Sequence, residues 1–161
     1  MPRCRSPTLC TERCDGRGTL CVKLVVLAVG KLRDKHLTAL CDDYATRIRR
    51  HLPFEVVEVD DDVQLARRWP DEGEVIALEP GGVSWTTERF AEQIENRMTY
   101  GARTVTFAIG GADGLPAALV RRAKLRLSLS ALTFPHRIAR LVLLEQIYRV
   151  LTIIRDEPYH H

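Results

Sequence analysis

The stretch that decides the fold is Arg103-Thr-Val-Thr-Phe-Ala-Ile-Gly-Gly-Ala-Asp-Gly114, in which an apolar run leads into a glycine-rich turn. Thr104 to Ile109 is typical of a buried strand, because β-branched and aromatic residues are frequent in it. The glycines that follow predict a tight turn at the carboxyl end of that strand. Ligands of open parallel sheets bind at such ends. We therefore expect binding loops at residues 109–114, 78–82 and 130–135.

Further apolar runs alternate with helical patterns on both sides of this stretch. The last helix, from Pro135 or His136 to Arg155, is apolar on more than one face, so it is either central in the fold or part of a homodimer interface, and we favour the interface. The alternation predicts an α/β fold with a mainly parallel sheet and helices on both faces. The predicted strands are residues 22–29, 54–59, 74–79 (closed by Pro80-Gly81-Gly82), 104–109 and 127–132; the predicted helices are residues 34–51 (capped by Asp34), 87–100, 115–125 and 135–155, with a short helical piece before Pro70.

The chain has 161 residues, 45% of them hydrophobic, which predicts one domain with a substantial core, at residues 22–161. Residues 1–21 are Arg-rich and lack periodicity, and the spacings of Cys4, Cys10, Cys14 and Cys21 match no paired zinc motif or disulfide scaffold. We expect this segment to be disordered or to lie upstream of a natural start at Val22. The apolar runs are too short for a membrane span, and we expect a cytoplasmic protein. Cys41 is expected to be a small buried hydrophobe.

Basic charge is concentrated in the last part of the chain. The net charge is only +3, but residues 115–161 hold 8 Lys and Arg against 3 Asp and Glu. Arg121, Arg122, Lys124 and Arg126 form the densest group. This group is either a solvated helix face or a surface for phosphates, and the sequence leaves both open.

Three residues near the end of the chain could handle a proton. His136 begins the last helix, and Tyr159 and His160 follow Pro158. Imidazole titrates near neutral pH, so either histidine could take a proton or orient a group that loses one. Nothing in the sequence matches a nucleophile elbow, a P-loop or a metal-binding motif, and we expect no metal. A dinucleotide site at Gly110-Gly111-Ala-Asp-Gly114 is a weaker alternative, because the motif is not G-x-G-x-x-G and no acidic residue stands about 20 positions later.

An ordered set of motifs resembles those of a known family, and the similarity covers residues 22–161. The set comprises Val22-Lys-Leu-Val-Val-Leu-Ala-Val-Gly30, Ala77-Leu78, Phe107-Ala-Ile-Gly-Gly-Ala-Asp-Gly-Leu115, Leu129-Ser-Ala-Leu-Thr-Phe-Pro-His136, Arg140, Glu145-Gln-Ile-Tyr-Arg149 and Pro158-Tyr-His160. Together they are similar to the SPOUT-class ribosomal RNA large subunit methyltransferase H family, the pseudouridine-N3 methyltransferases of 23S rRNA.

This resemblance implies a homodimer whose C-terminal part forms a trefoil knot and binds S-adenosylmethionine. It also implies methylation of N3 of a pseudouridine in 23S rRNA, with assembled ribosomes as the substrate. His136, Tyr159 and His160 are then expected to handle the proton and position the base, and Arg140 and Arg149 to contact RNA, although Arg149 could equally pair with Glu145. The residues expected to bind the cofactor are Leu78, Gly110, Gly111, Leu129, Ser130, Ala131, Leu132, Thr133 and Phe134.

A function of another class stays open. If the cofactor loops are retained only as structure, the chain would be a non-enzymatic ribosome-binding protein of the same fold. Binding of S-adenosylmethionine separates the two hypotheses, because only the methyltransferase requires it.

Overall fold

The computed structural model describes residues 22–100 and 103–159, and within them strands and helices alternate. The strands are β1 (Lys23–Val29), β2 (Phe54–Val59), β3 (Glu74–Ser84), β4 (Thr104–Ile109) and β5 (Leu125–Ser128). The helices are α1 (Lys35–Arg49), α2 (Asp62–Arg68), α3 (Thr87–Tyr100), α4 (Ala117–Arg122) and α5 (His136–Ile154). Residues 1–21, which contain four cysteines and are expected to be disordered or to precede a natural start at Val22, lie outside the described residues.

All five strands are parallel and form one sheet in the order β2-β1-β4-β3-β5. This confirms the predicted α/β class. The central strand β4 and its neighbour β1 are almost fully buried, which explains why their sequences are continuous apolar runs rather than alternating ones.

Helices cover both faces of the sheet, as predicted. Alternate residues of β1 face opposite sides, so Leu24 and Val26 belong to one core and Leu27 and Val29 to the other. The first core packs against α1, α3 and α5, and the second against α2 and α4. Cys41 lies in the first core, which confirms its predicted role as a buried hydrophobe; burial raises the pKa of its thiol.

Helix α5 packs between α1 and α3 on one face of the sheet. Its central position accounts for the wide apolar surface noted in the sequence, since Leu143, Leu144 and Ile147 are fully buried. A second stripe of α5 is only half-buried, and it contains Ile138, Leu141, Val142 and Tyr148. The homodimer interface stays a prediction, and this stripe is where it would lie.

Two predictions about the third strand and its neighbour are wrong. Pro80-Gly81-Gly82 does not close β3, which continues to Ser84 with a shift in register against β5 between Leu78 and Val83. Proline lacks the N–H that a sheet ladder needs, so it is accommodated in this irregular segment. A Cβ on Gly82 would lie 2.6 Å from the carbonyl carbon of Arg126, so only glycine allows the two strands to approach so closely here.

The fifth strand begins and ends earlier than predicted, at Leu125–Ser128 instead of residues 127–132. Side chains divert the backbone after it: the Ser128 hydroxyl donates to the Ser130 carbonyl at 2.9 Å, and the Leu132 N–H donates to the Ser130 hydroxyl at 2.9 Å. Such local bonds compete with a sheet ladder.

Helix α4 is also shorter than predicted, at Ala117–Arg122 instead of residues 115–125, and the chain after it returns directly to the sheet edge.

Candidate active site

The carboxyl ends of β3, β4 and β5 surround a pocket of about 780 Å³. Its walls are the segments 78–80, 109–115, 127–130 and 132–135, and the first turn of α5 closes it with His136 and Ala139. These are the strand ends at which the sequence predicted binding loops, and the volume is typical of a site for a small organic ligand.

The predicted cofactor residues converge on this pocket with one exception. Those that line it are Leu78, Gly110, Gly111, Leu129, Ser130, Leu132, Thr133 and Phe134. Ala131 lies exposed in the same loop and does not line the pocket. Leu132 is 74% exposed although it is a large apolar residue, which is the exposure expected of a side chain that a ligand covers.

Sequence reasoning missed several of the lining residues, among them Glu79, Asp113 and Ala139. The two carboxylates lie within predicted binding loops, so the loop positions were a signal for them. Ala139 follows His136 by three residues, and this spacing places both on one face of α5.

The glycines after β4 are required by a close approach of the backbone to itself. A Cβ on Gly110 would lie 2.1 Å from the carbonyl carbon of Gly114 and 2.5 Å from the nitrogen of Leu115. Gly111 and Gly114 form an isolated antiparallel bridge, and Gly114 has a φ of +81°. The wall of the pocket is therefore a closed turn that tolerates no side chain at residue 110.

His136 lies at the rim of the pocket, above the end of β1. The imidazole packs over Gly30, where a built Cβ would lie at an ordinary contact distance of 3.6 Å from the His136 Nε2; glycine is favoured here by its φ of +86°. Burial lowers the pKa of His136, and the nearby cations of Arg137 and Arg140 lower it further. The imidazole is consequently neutral at pH 7 and has a free lone pair on one nitrogen.

Arg140, one turn further along α5, is 2% exposed. Its guanidinium donates to the Gly30 carbonyl at 2.6 Å and to the Glu58 carboxylate, while its Nε has no partner among the described residues. Glu58 also accepts from the Leu32 N–H at 3.3 Å. Arg140 thus ties α5 to the ends of β1 and β2, and its guanidinium is committed to these contacts rather than presented to solvent.

Tyr159 packs on the other side of α5 from His136. Its hydroxyl lies 3.3 Å from both the Glu145 carboxylate and the Tyr44 hydroxyl, and its ring is 4.6 Å from the ring of Tyr148, edge to face. Nine residues separate His136 from Glu145, which is two and a half helical turns, or about 14 Å along the axis and the opposite face. Within one chain, therefore, the structure does not bring Tyr159 to the pocket.

The chemistry of Tyr159 is set by this cluster. Burial is the main cause that raises the pKa of its phenol, and the hydrogen bond with Tyr44 adds to it. The phenol stays protonated at neutral pH, so Tyr159 can donate a hydrogen bond but cannot serve as a phenolate base. His160, the third residue predicted for proton handling, lies outside the described residues.

Arg149 makes the ion pair that the sequence offered as its alternative role. Its Nε and Nη2 donate to one Glu145 oxygen at 2.9 and 2.6 Å, and the guanidinium lies 5.1 Å from the centre of the Tyr159 ring. About 30% of its side chain stays exposed. Its neighbour Tyr148 packs against the core. An RNA contact by Arg149 stays a prediction.

Two further features bear on the class of protein. In residues 22–100 and 103–159, no group of three or more His, Cys, Asp or Glu side chains is arranged to hold a metal ion. The helices of this same part of the chain are too short or too polar to cross a membrane.

Comparison with known proteins identifies relatives over the whole described domain. The family model described as "Predicted SPOUT methyltransferase" matches residues 22–160. A protein of Sorangium cellulosum named ribosomal RNA large subunit methyltransferase H is 46% identical over 145 residues, covering 87% of this chain and 100% of the relative. A protein of the same name from Anaeromyxobacter is 43% identical over 154 residues, covering 86% of this chain and 99% of the relative.

Solved structures share the fold at low sequence identity. A probable methylase family protein from Haemophilus influenzae has a TM-score of 0.53 at 10% identity, covering 86% of this chain and 69% of that chain. TrmJ from Zymomonas mobilis has a TM-score of 0.51 at 12% identity, covering 80% of this chain and 70% of that chain. These likenesses concern the fold alone. The family match and the curated relatives, which are covered over nearly their full lengths, establish that the chain belongs to the SPOUT methyltransferase family, whose fold implies the C-terminal knot.

Proposed function

We propose that the protein transfers the methyl group of S-adenosylmethionine to N3 of a pseudouridine in 23S ribosomal RNA. The observation that carries this proposal is the pocket at the ends of β3, β4 and β5, in which the predicted cofactor residues converge beside a neutral His136. The relatives named ribosomal RNA large subunit methyltransferase H support the class of substrate. Such a substrate places the reaction in the cytoplasm.

The composition of the pocket fits S-adenosylmethionine better than a dinucleotide. Glu79 and Asp113 line it, and none of the described residues that line it is lysine or arginine. A pocket with two carboxylates and no strong cation favours a ligand that carries a sulfonium and an ammonium group over one that carries a pyrophosphate. Residues Leu129, Leu132 and Phe134 supply the apolar surface that would exclude water from the adenosine portion.

When bound, S-adenosylmethionine supplies a methyl group that is already activated by the positive sulfur. The chain must then hold the acceptor base in line and accommodate the weakly acidic proton of its N3 imide. The neutral imidazole of His136 can accept this proton at pH 7, or orient the base by a hydrogen bond. Tyr159, protonated at the same pH, suits hydrogen-bond donation to a base carbonyl, and Arg140 holds the end of β1 beside the start of α5.

A homodimer would resolve the separation of His136 and Tyr159 within one chain. Both belong to the proposed site, yet they lie on opposite faces of α5. The half-buried stripe on α5 extends to Tyr148, against which Tyr159 packs, so a second copy that packs on this stripe would carry its C-terminal residues toward the pocket of the first. We propose that each site takes its pocket from one protomer and its Tyr159 and His160 from the other.

Assembled ribosomes are the proposed partner. A domain of this size offers an isolated RNA hairpin few contacts, whereas a folded ribosomal surface can be recognised by shape over a larger area. Short RNA is therefore expected to be a poor substrate.

The experiment that tests the proposal combines cofactor titration with methyl transfer. We expect selective binding of S-adenosylmethionine over NAD, and transfer of labelled methyl to ribosomes that lack the modification but not to a short hairpin. Cofactor binding without transfer to ribosomes would point to another RNA acceptor. Absence of cofactor binding would contradict the enzyme assignment and favour the ribosome-binding alternative.

A further inference from the structure

A second concave surface lies beside the cofactor pocket, and its charge is opposite. We define the basic groove as the depression of about 460 Å³ lined by residues 81–83 of β3, by Arg121 at the end of α4, and by Lys124 and Arg126 at the start of β5. None of the described residues that line it is acidic. The cofactor pocket, by contrast, has two carboxylates and no lysine or arginine along its described walls.

The cations of the basic groove are available to a ligand. Arg121, Lys124 and Arg126 are exposed, and none of the three forms an ion pair with a carboxylate in the described part of the chain. Their neighbour Arg122 differs, because its Nη2 forms an ion pair with the Asp71 Oδ1 at 3.6 Å. Three unpaired cations within six residues repel one another, so an anion that enters the groove would relieve this repulsion.

The floor of the basic groove lets a ligand come close to the backbone. Gly81 has no side chain, and no atom lies within 4 Å of a Cβ built on it, whereas the Cβ side of Gly82 is occupied by the Arg126 backbone. Beside them Val83 is 47% exposed, which offers an apolar surface next to the cations. A sugar-phosphate backbone has both properties that this surface would match, since its phosphates are anionic and its sugars are partly apolar.

The basic groove and the cofactor pocket adjoin along two paired strands. On β3, Leu78 to Pro80 line the pocket and Gly81 to Val83 line the groove; on β5, Leu125 and Arg126 line the groove and Leu127 and Ser128 line the pocket. Val83 pairs with Leu127, so the two sites share this ladder. Neighbouring residues of a strand are about 3.3 Å apart, and a chain bound in the groove is therefore within a few nucleotides of the pocket.

We propose that the basic groove binds the phosphodiester backbone of the RNA that carries the acceptor nucleotide. The inference rests on the proposed function, which it deepens by naming where the RNA strand enters. Arg121, Lys124 and Arg126 each contact a phosphate, and they fix the position of the strand without reading its sequence.

The test is the variant Arg121→Gln/Lys124→Gln/Arg126→Gln, compared with Arg50→Gln/Arg67→Gln/Arg68→Gln. The control removes the same charge from exposed residues near the β2 edge of the sheet, opposite to β5. We expect the groove variant to bind ribosomes at least about tenfold more weakly in low salt, with an unchanged affinity for S-adenosylmethionine. The slope of log affinity against log salt concentration is negative, and loss of three phosphate contacts should make it less negative by about 2. A fourfold rise in salt should therefore weaken ribosome binding by the native protein roughly 20-fold more than binding by the groove variant.

The outcomes separate the groove from the activity. If ribosome affinity, its salt slope and the KM for ribosomes are the same in the groove variant and the charge control, the groove inference is overturned while the methyltransferase assignment stands. If the native protein binds ribosomes through these residues but transfers no methyl group, the proposed methyltransferase activity is contradicted and the proposed RNA-binding role of the groove is supported. The variant Arg121→Lys/Arg126→Lys keeps the charge and should bind as the native protein does. Tight binding of pyrophosphate that does not compete with ribosomes would identify a site for small anions and contradict an RNA role.

Discussion

The glycine that ends β4 offers the sharpest test of where the cofactor binds. In Gly110→Ala, the new Cβ would lie 2.1 and 2.3 Å from the carbonyl carbon and oxygen of Gly114. Ordinary contact begins near 3.4 Å, so the turn from Gly110 to Gly114 must open by about 1.3 Å. Both contacts are with backbone atoms, so no side-chain rotation can relieve them.

The expected loss follows from the hydrogen bonds that such a displacement disturbs. If two backbone contacts to the ligand are lost, at about 0.5–1.5 kcal/mol each, the affinity for S-adenosylmethionine falls roughly 5- to 150-fold. Overpacking also lowers the free energy of unfolding by about 1–3 kcal/mol. Isothermal titration gives the affinity, and chemical denaturation gives the stability.

A matched glycine controls for the substitution itself. No atom lies within 4 Å of a Cβ on Gly81, so Gly81→Ala should keep the native cofactor affinity and stability. A second variant, Leu132→Gln, removes an apolar side chain that is 74% exposed, and should weaken cofactor binding about tenfold without affecting folding. The reasoning is refuted if folded Gly110→Ala and Leu132→Gln both bind S-adenosylmethionine as tightly as the native protein.

Three further predictions concern Arg140, His51 and the two halves of the proposed site. Arg140→Met removes the Gly30 carbonyl's donor and leaves Glu58 with only the Leu32 N–H. Because Glu58 is one-third exposed, we expect a loss of about 2–4 kcal/mol in the free energy of unfolding, measured in urea; native stability with a lower salt slope for ribosome binding would instead identify Arg140 as an RNA contact. Burial lowers the pKa of His51 although the Glu157 carboxylate lies 3.8 Å away, so the unfolded state binds protons more readily than the folded state. The free energy of unfolding should therefore fall between about pH 7 and pH 5, and it should fall less steeply in His51→Leu than in the native protein. The same dependence of stability on pH in both proteins would contradict this. Mixed dimers of His136→Ala and Tyr159→Ala chains should recover one active site in two if the site is shared between protomers, whereas inactivity of the mixture, with native-like dimers, would count against sharing.

Local patterns were sufficient to predict the elements around the pocket. Thr104–Ile109 and the glycines after it carry a strand and a turn in their own sequence, and the cap at Asp34 is likewise local. The continuation of β3 through Pro80 could not be predicted in this way, because it depends on β5 pairing with a segment that has the composition of a turn.

Contacts between residues distant in sequence determine where the predicted site residues lie. As an arginine in a basic part of the chain, Arg140 is a candidate for an RNA contact. Its partner Glu58 is 82 positions away, and only the packing of α5 on the sheet brings the two side chains together. The resemblance assigns Tyr159 to the same role as His136, but within one chain Tyr159 packs on α5 beside Glu145 and Tyr148. The path of the residues after a helix depends on which face of the helix offers a surface for them to pack on. That surface is set by tertiary packing and not by the local sequence.

The most direct test of the central claim is mass-spectrometric mapping of the nucleotide that becomes labelled when the protein acts on ribosomes lacking the modification. The account predicts one labelled methyl group per ribosome, on N3 of a pseudouridine in 23S rRNA, and its absence with a His136→Ala chain that still binds S-adenosylmethionine. Label on another atom or another RNA, or undiminished label with His136→Ala, would contradict it.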